Sequence, residues 1–273
     1  MIESDSRVTF TEVIAEQFDA CHPIPQAIRN LVQAQMPVIP HGIGLSIGDA
    51  YGPSTERLDA LSHIAERLNA PLISEHATFV RAGGLESGHL LPLPRTYDML
   101  DILSENVENA MRALPVPLAL ENIATLVEWP GAELDEGEFL AELHRRTGVR
   151  LLLDLANLYA NHMNHGWDAR AFLNAIPVDA VAYVHLAGGR WAHGMYIDTH
   201  ADPLPREPLV LLNLLFQRGY RGGVLLERDE NFISKASLQA ELAKIEAAVT
   251  EHTATAQPAS VEPSYVSEAA HVG

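Results

Sequence analysis

Seven short runs rich in Val, Ile and Leu recur along the chain, and between them lie longer stretches with helical spacing. The runs are VTFTEVI, PVIPHGIGL, APLISEH, VPLALEN, VRLLLDLAN, DAVAYVHLAG and GGVLLERD. Several are apolar at consecutive positions, the pattern of parallel strands covered on both faces. The stretch PSTERLDALSHIAERLNA carries Leu58, Leu61, Ile64, Ala65 and Leu68 on one stripe, with Ser54 or Thr55 as N-cap. DEGEFLAELHRRTG opens with Asp135 and Glu138 at capping-box spacing and stops at Gly148. PLVLLNLLFQRGY runs from Pro208 to a stop at Gly219, and SLQAELAKIEAAV reads as a last helix capped by Ser237.

Strands alternating with helices indicate an α/β barrel or a doubly wound sheet. No G-x-G-x-x-G or Walker loop follows any strand, which weakens the nucleotide-binding sheet. A TIM-type (β/α) barrel is therefore expected over residues 1–250, as one domain, although only seven strands are found where a barrel has eight. From 251 the sequence EHTATAQPASVEPSYVSEAAHVG loses periodicity, and 251–273 is expected to be a disordered tail.

The runs share a second property. Their C-terminal ends carry His41, His76, Glu121 with Asn122, Asp154 with Asn157, His185, and Glu227 with Asp229. In an α/β barrel these ends converge on one rim, where catalytic groups sit. The segment GMYIDTHADPLP adds Asp198 and His200 from the loop after the sixth run. Taken singly, a strand-end His is more often a hydrogen-bonded core or loop residue, and Asp198 has the look of an Asx-turn. Asp154 or Glu121 alone would suit a helix cap or an arginine partner. Recurrence at one structural place changes the weighing, because buried carboxylates repel one another unless a cation compensates them. The set suggests more than one metal ion.

No cysteine is among these residues, so a zinc thiolate site or an iron–sulfur cluster is excluded. Imidazole and carboxylate together suit iron, manganese or zinc, and composition does not choose among them. Of the thirteen histidines, His22, His63, His144, His252 and His271 fall in loops, helices or the tail and carry no ligand signal. His162 and His165, three apart, are a weak metal pair, and His89 and His193 are at most substrate contacts.

A formal net charge of -18 repels phosphate backbones, so nucleic acid is not an expected partner. The lone Cys21 permits no internal disulfide. The start MIESDSRVTF is unlike a signal peptide, and no apolar run approaches the roughly 20 residues of a membrane span. A soluble cytoplasmic protein is expected, with no membrane partner.

The motifs HGIGLSIG, LISEHATFV, HLLPLP, LALEN, LLLDLANLY, NHGWD, YVHLAGG, IDTH and LLERD occur in this order. Together they resemble the DUF692 proteins, the multinuclear non-haem iron-dependent oxidative enzymes (MNIO) that include the methanobactin-maturing enzyme. The resemblance covers roughly residues 10 to 245. It implies a TIM-type barrel with two or three iron ions, mixed Fe(II) and Fe(III), at its mouth. It further implies modification of a ribosomally made, cysteine-containing precursor peptide using dioxygen, often with a second protein that binds the peptide leader. Carried over by motif, the metal residues are His41, His76, Glu121, Asp154, His185, Asp198, His200 and Glu227, with Asn157 as a ligand or a group behind one. Glu121 takes the place of a bridging carboxylate. No catalytic side chain and no organic cofactor is assigned.

The chain departs from the family pattern in places. The G-L-R-x-x-H strand that precedes TEVIAEQF in many members is not seen here, which implies an incomplete or atypical first strand. His89 and Arg95 in GHLLPLPR replace Asp and Tyr, and Glu16–Gln17 replaces Glu–Asn. The competing readings are a divalent-metal sugar isomerase or epimerase, a metal-dependent DNA-repair endonuclease, and a non-catalytic binding module on the same barrel.

Overall fold

In a computed structural model that describes residues 7–18 and 22–255, seven strands form one parallel sheet curled into a nearly closed barrel. In chain order the elements are β1 (Thr11–Ile14), α1 (Gln26–Gln33), β2 (Val38–Gly42), α2 (Thr55–Leu68), β3 (Ile73–His76), β4 (Thr78–Ala82) and β5 (Leu85–Pro92). There follow α3 (Tyr97–Ala113), β6 (Leu118–Glu121), α4 (Glu136–Thr147), β7 (Arg150–Asp154), α5 (Leu155–His165) and α6 (Ala169–Ala175). The chain continues through β8 (Val181–Leu186), β9 (Gly189–Ala192), β10 (Met195–Asp198), α7 (Arg206–Gln217), β11 (Gly223–Leu226) and α8 (Lys235–Thr255). The barrel order is β1-β2-β3-β6-β7-β8-β11. β4 with β5, and β9 with β10, are separate antiparallel hairpins inserted after β3 and β8.

Period-two alternation divides each barrel strand between two cores. Val38, Ile73, Leu118, Leu120, Leu151, Leu153 and Val184 point outward and pack with the helices. Ile39, Ala119, Leu152 and Tyr183, with Phe10 and Leu72 against them, fill the barrel's interior. Full burial of a leucine such as Leu151 or Leu153 contributes about 1.5–3 kcal/mol. The same parity then places Glu12, His41, Ser74, His76, Glu121, Asp154, His185 and Glu227 on the inner face. The inner column is apolar at the bottom and ligand-rich at the top.

The expected eighth strand is absent among the described residues, and β1 and β11 are the two unpaired edges. Both are only half-buried along their length, whereas β2, β3 and β6 are buried throughout. At its lower end the seam is closed by Phe10, whose ring would stand 2.7 Å from a Cβ placed on Gly223.

Helix ends follow ordinary capping chemistry. Ser54 Oγ accepts from the N–H of Arg57, and the Asp135–Glu138 capping box forms as its spacing predicts. The last helix starts earlier than expected: Ser234, not Ser237, is its cap, because Ser234 Oγ accepts from the Ser237 N–H at 3.2 Å. That helix also runs to Thr255, past the predicted start of the tail at 251. The remainder of the predicted tail, 256–273, and Cys21 lie outside the described residues. Among the described residues no helix is long and apolar enough to cross a membrane.

Candidate metal centre

β2, β3, β6, β7 and β8 deliver His41, His76, Glu121, Asp154 and His185 to the top of the barrel, all less than a tenth exposed. Glu227 follows β11 directly. Asp198 ends β10 rather than sitting in an irregular loop, and the hairpin folds it and His200 over the same mouth. Ligand atoms of these residues fall into overlapping groups within 4.8 Å: His41, His76 and Glu121; Glu121, Asp154, His185 and Glu227; Asp154, Asp198 and His200; and His200, Glu227 and Asp229. Glu121, Asp154, Glu227 and His200 each belong to two groups, so the cluster is continuous.

The separations suit shared cations. Glu121 Oε2 is 3.4 Å from His41 Nε2 and 3.6 Å from His76 Nε2, while its Oε1 is 3.6 Å from His185 Nδ1. Eight buried side-chain atoms among the described residues lack a hydrogen-bond partner, and five of them are here: Glu121 Oε2, Asp154 Oδ2, His185 Nδ1, Asp198 Oδ1 and Glu227 Oε2. Native proteins leave few buried polar atoms unpaired, and each costs about 1–3 kcal/mol. Five at one point are what a set of metal ligands looks like, so the residues fit the ions that the sequence reading called for.

Hydrogen bonds behind the cluster aim it. His76 Nδ1 faces the Gly42 carbonyl at 3.1 Å, an acceptor that fixes the proton there and leaves Nε2 toward Glu121. Glu75 accepts from the N–H groups of Leu45 and His76 and packs against Gly42, where a Cβ would come within 2.6 Å of its carboxylate. Asn122 clamps Asp154 by donating to its carbonyl at 2.9 Å and accepting from its N–H at 3.0 Å. Asn157 donates its N–H to Asp154 Oδ1 and its side-chain amide to Asn122 O and, at 3.4 Å, to Glu121 Oε1. It stands in the cluster as a donor that orients carboxylates. His200 has φ 49°, a left-handed conformation costly for a non-glycine residue, and its ring is held between Asp198 and Asp229.

Electrostatics show a site short of positive charge. Burial, together with Asp198, Glu121 and Glu227 nearby, pushes Asp154 well above the usual carboxylate range. Burial would push His185 down, but Glu12, Glu227 and Glu121 outweigh it and hold it well above normal. For His76 burial is likewise outweighed, chiefly by Glu121, and its pKa rises to about 9. Cations would satisfy these carboxylates directly.

Asp229, named with Glu227 at the end of its run, lies beside the cluster as an exposed carboxylate 3.0 Å from His200 Nδ1. Three contributors were not found from strand ends. Glu12, Ser74 and Tyr183 form a buried chain beneath the cluster: His41 Nδ1 to Ser74 Oγ at 2.9 Å, Ser74 Oγ to Tyr183 Oη at 2.7 Å, Tyr183 to Glu12, and Glu12 Oε1 to His185 Nε2 at 3.2 Å. Inward parity was the available signal, since each lies two residues before, or one strand beside, a ligand. By contrast, His162 Nδ1 bonds the Trp167 carbonyl and His165 Nε2 the Thr125 carbonyl, so this pair joins no metal group. His89 and His193 are exposed on the two hairpins, and Arg95 stacks on Trp167 at 4.3 Å. A cavity of about 480 Å³ follows the unpaired seam and is lined by Glu12, His41, Glu227 and Asp229 with Phe10 and Phe232.

Comparison with known proteins adds independent information. The family model described as RiPP precursor modification enzyme MbnB/TglH/ChrH matches residues 1–250. A UPF0276 protein of Streptomyces avermitilis is 49% identical over 251 residues, covering 89% of this chain and 51% of that protein. The chain thus spans about half the length of that relative. A UPF0276 protein of Caulobacter vibrioides is 35% identical over 235 residues, covering 86% and 84% of the two chains. Among solved structures, an L-ribulose 3-epimerase aligns with TM-score 0.56 at 14% identity over 93% of this chain and 89% of its own. D-psicose 3-epimerase of Clostridium cellulolyticum aligns with TM-score 0.55 at 10% identity over 90% and 88%. At such identities the likeness is one of fold, and the fold is the TIM-type barrel.

Proposed function

The chain belongs to the family of RiPP precursor modification enzymes, and from that premise we propose that it is a multinuclear non-haem iron enzyme that oxidises a ribosomally made precursor peptide at cysteine with dioxygen. The observation that carries this reading is the convergence of five unpaired buried polar atoms from Glu121, Asp154, His185, Asp198 and Glu227. In this reading His41, His76 and Glu121 would hold one ion, and Glu121, Asp154, His185 and Glu227 would hold a second. Asp198 and His200, with Asp229, offer a third position, and Asn157 orients Glu121 and Asp154.

Bound iron would supply one-electron redox chemistry and a place for a substrate thiolate beside dioxygen. The protein's own part is to position and to exclude. Asn122 and Asn157 fix Asp154, the Gly42 carbonyl fixes His76, and the apolar floor of Ile39, Ala119 and Leu152 closes the barrel below the site. The seam cavity gives a side chain a way to the cluster from outside. The strongly acidic chain suits a neutral or basic peptide and opposes nucleic acid. A cytoplasmic protein working with a leader-binding partner completes the proposal.

The test is metal analysis by mass spectrometry on protein purified without oxygen or added metal, beside Glu121→Ala, followed by exposure to a cysteine-containing peptide in air. Two or more irons per chain, fewer in the variant, and a peptide mass change that needs oxygen are expected. A single zinc or manganese with an unchanged peptide would move the assignment to isomerase or epimerase chemistry. No metal after iron reconstitution would leave a binding module.

A further inference from the structure

We infer that Glu12 is a positioning residue that sets the tautomers of two metal-binding histidines at once, making His185 bind through Nδ1 and His41 through Nε2. The inference rests on the metal reading above and adds which atom of each ring faces the ions and why.

The argument is one of counting protons along a buried chain. Glu12 lies on β1, opposite Ile39 in register and so one inward position deeper than His41. Its carboxylate, only 8% exposed, closely receives two groups, Tyr183 Oη at Oε2 and His185 Nε2 at Oε1, 3.2 Å away, with Ser74 Oγ more distant at 3.5 Å from Oε2. An ionised carboxylate only accepts, so both neighbours must donate. Tyr183 has a single hydroxyl hydrogen, and that hydrogen goes to Glu12. The 2.7 Å contact between Tyr183 and Ser74 then needs the Ser74 hydrogen, or two lone pairs would face each other. With its hydrogen used, Ser74 Oγ can only accept from His41 Nδ1 at 2.9 Å. The chain has one consistent direction: His41 Nδ1–H to Ser74, Ser74 O–H to Tyr183, Tyr183 O–H to Glu12, with His185 Nε2–H closing on Glu12 from the other side.

The free nitrogens then fall where ligands are needed. His41 Nε2 points to Glu121 Oε2 at 3.4 Å, and His185 Nδ1 points among Glu227, Glu121 and Asp154 at 3.1, 3.6 and 3.9 Å. His185 thereby differs from His41 and His76, which both present Nε2. A carboxylate behind a metal-binding histidine is a common way to fix ring orientation and raise ligand basicity. Here one carboxylate serves both of the first two ion positions, directly through His185 and by relay through His41.

The probe is zinc, which is diamagnetic, with 15N-labelled histidine spectra that separate Nδ1-bound from Nε2-bound rings. Wild-type protein is expected to bind zinc and show His185 bound through Nδ1, with His41 and His76 through Nε2. Glu12→Gln must offer an N–H to one of its two donors, so zinc affinity is expected to fall roughly 10–100-fold, with loss of the His185 pattern. Tyr183→Phe cuts only the relay, so the His41 signals are expected to change while His185 keeps Nδ1. An Nε2-bound His185 in wild-type zinc protein overturns the inference while leaving the metal centre standing. So do unchanged affinity and tautomers in Glu12→Gln. Failure of wild-type protein to bind zinc or iron at all overturns the metal reading and this inference together.

Discussion

Nδ1 of His185 lies 3.1 Å from Oε2 of Glu227, and neither atom has a hydrogen-bond partner. Two ligand atoms each about 2.1 Å from a common ion stand about 3.0–3.4 Å apart, so the pair is spaced as two ligands of one cation would be. The same relationship recurs, a little wider, between Glu121 and its three histidines.

If a cation occupies this spacing, removing it leaves the carboxylates buried and repelling. A strong chelator is expected to lower the melting temperature of the metal-loaded protein by about 5–10 °C, the scale set by a ligand held well above its dissociation constant. Glu227→Gln removes one ligand charge and should shrink that shift by at least half. Thermal denaturation of both proteins with and without chelator checks this; equal shifts would place the metal elsewhere.

Stability against pH should change sign with metal. In the metal-free protein His76 titrates near 9, although burial works against its charge, because Glu121 and Glu75 hold the proton. A histidine raised in the folded state gives stability that is full below its unfolded value of about 6.5 and is lost as pH rises through 9. Metal-free protein is therefore expected to lose stability, by up to a few kcal/mol, between pH 6.5 and 9. Asp154, also raised, works in the same direction. Metal requires deprotonated ligands, so metal affinity should rise across that window. Urea unfolding at several pH values, with and without zinc, reads both trends.

The strand-end cluster was legible because two local rules coincide in its residues. Parallel strands read as apolar runs, and a barrel brings the ends of such runs to one rim, so His41, His76, Glu121, Asp154 and His185 could be named without coordinates. Glu12, Ser74 and Tyr183 escaped for the opposite reason. They sit inside their runs, where a polar residue looks like a blemish in a strand, and only register shows that Glu12 lies beneath His41 and beside His185. The two hairpins were also missed: ATFV and HLLPLP stood only within motifs and GMYIDTHADPLP read as a loop, while the pairing of the first hairpin depends on Gly83 and Gly84 turning the chain back. The open seam was foreshadowed by a count of seven strands, but the cavity along it depends on side chains from β1, β11 and α8 together.

Asn122 makes the most specific support of any residue behind the ligands. Its side chain pairs both backbone groups of Asp154, at 3.0 and 2.9 Å, and is itself 1% exposed. Asn122→Ala would take the Asn122 partner from both backbone groups of Asp154 where water does not reach. A loss of about 2–3 kcal/mol in unfolding free energy is expected, with lower metal content in the fraction that folds. Asn122→Asp restores the acceptor but not the donor, and adds a charge beside Asp154. It should bind metal no better than Asn122→Ala, as measured by metal analysis on folded protein.

The His200 arm depends on an ion pair far from it in sequence. Arg228, between Glu227 and Asp229, turns away from the cluster and bonds Glu241 on α8 at 2.9 Å, with both side chains 8% exposed. The same guanidinium donates to the carbonyls of Ala201 at 2.9 Å and Asp202 at 3.1 Å, while Glu241 Oε1 accepts from the Leu204 N–H. Arg228 and Glu241 thus pin the segment after His200 to the last helix. Removing one member of a buried pair strands the other charge, at about 3–5 kcal/mol. Glu241→Ala is expected to show that loss in urea unfolding and to weaken metal binding at Asp198 and His200. The Glu121-centred positions should be spared, because His41, His76, Asp154 and His185 are held by their own strands and not by this segment. Zinc titration should then show one weakened site beside others of wild-type affinity. Uniform weakening of every site would mean that the pair supports the whole barrel and not the His200 arm.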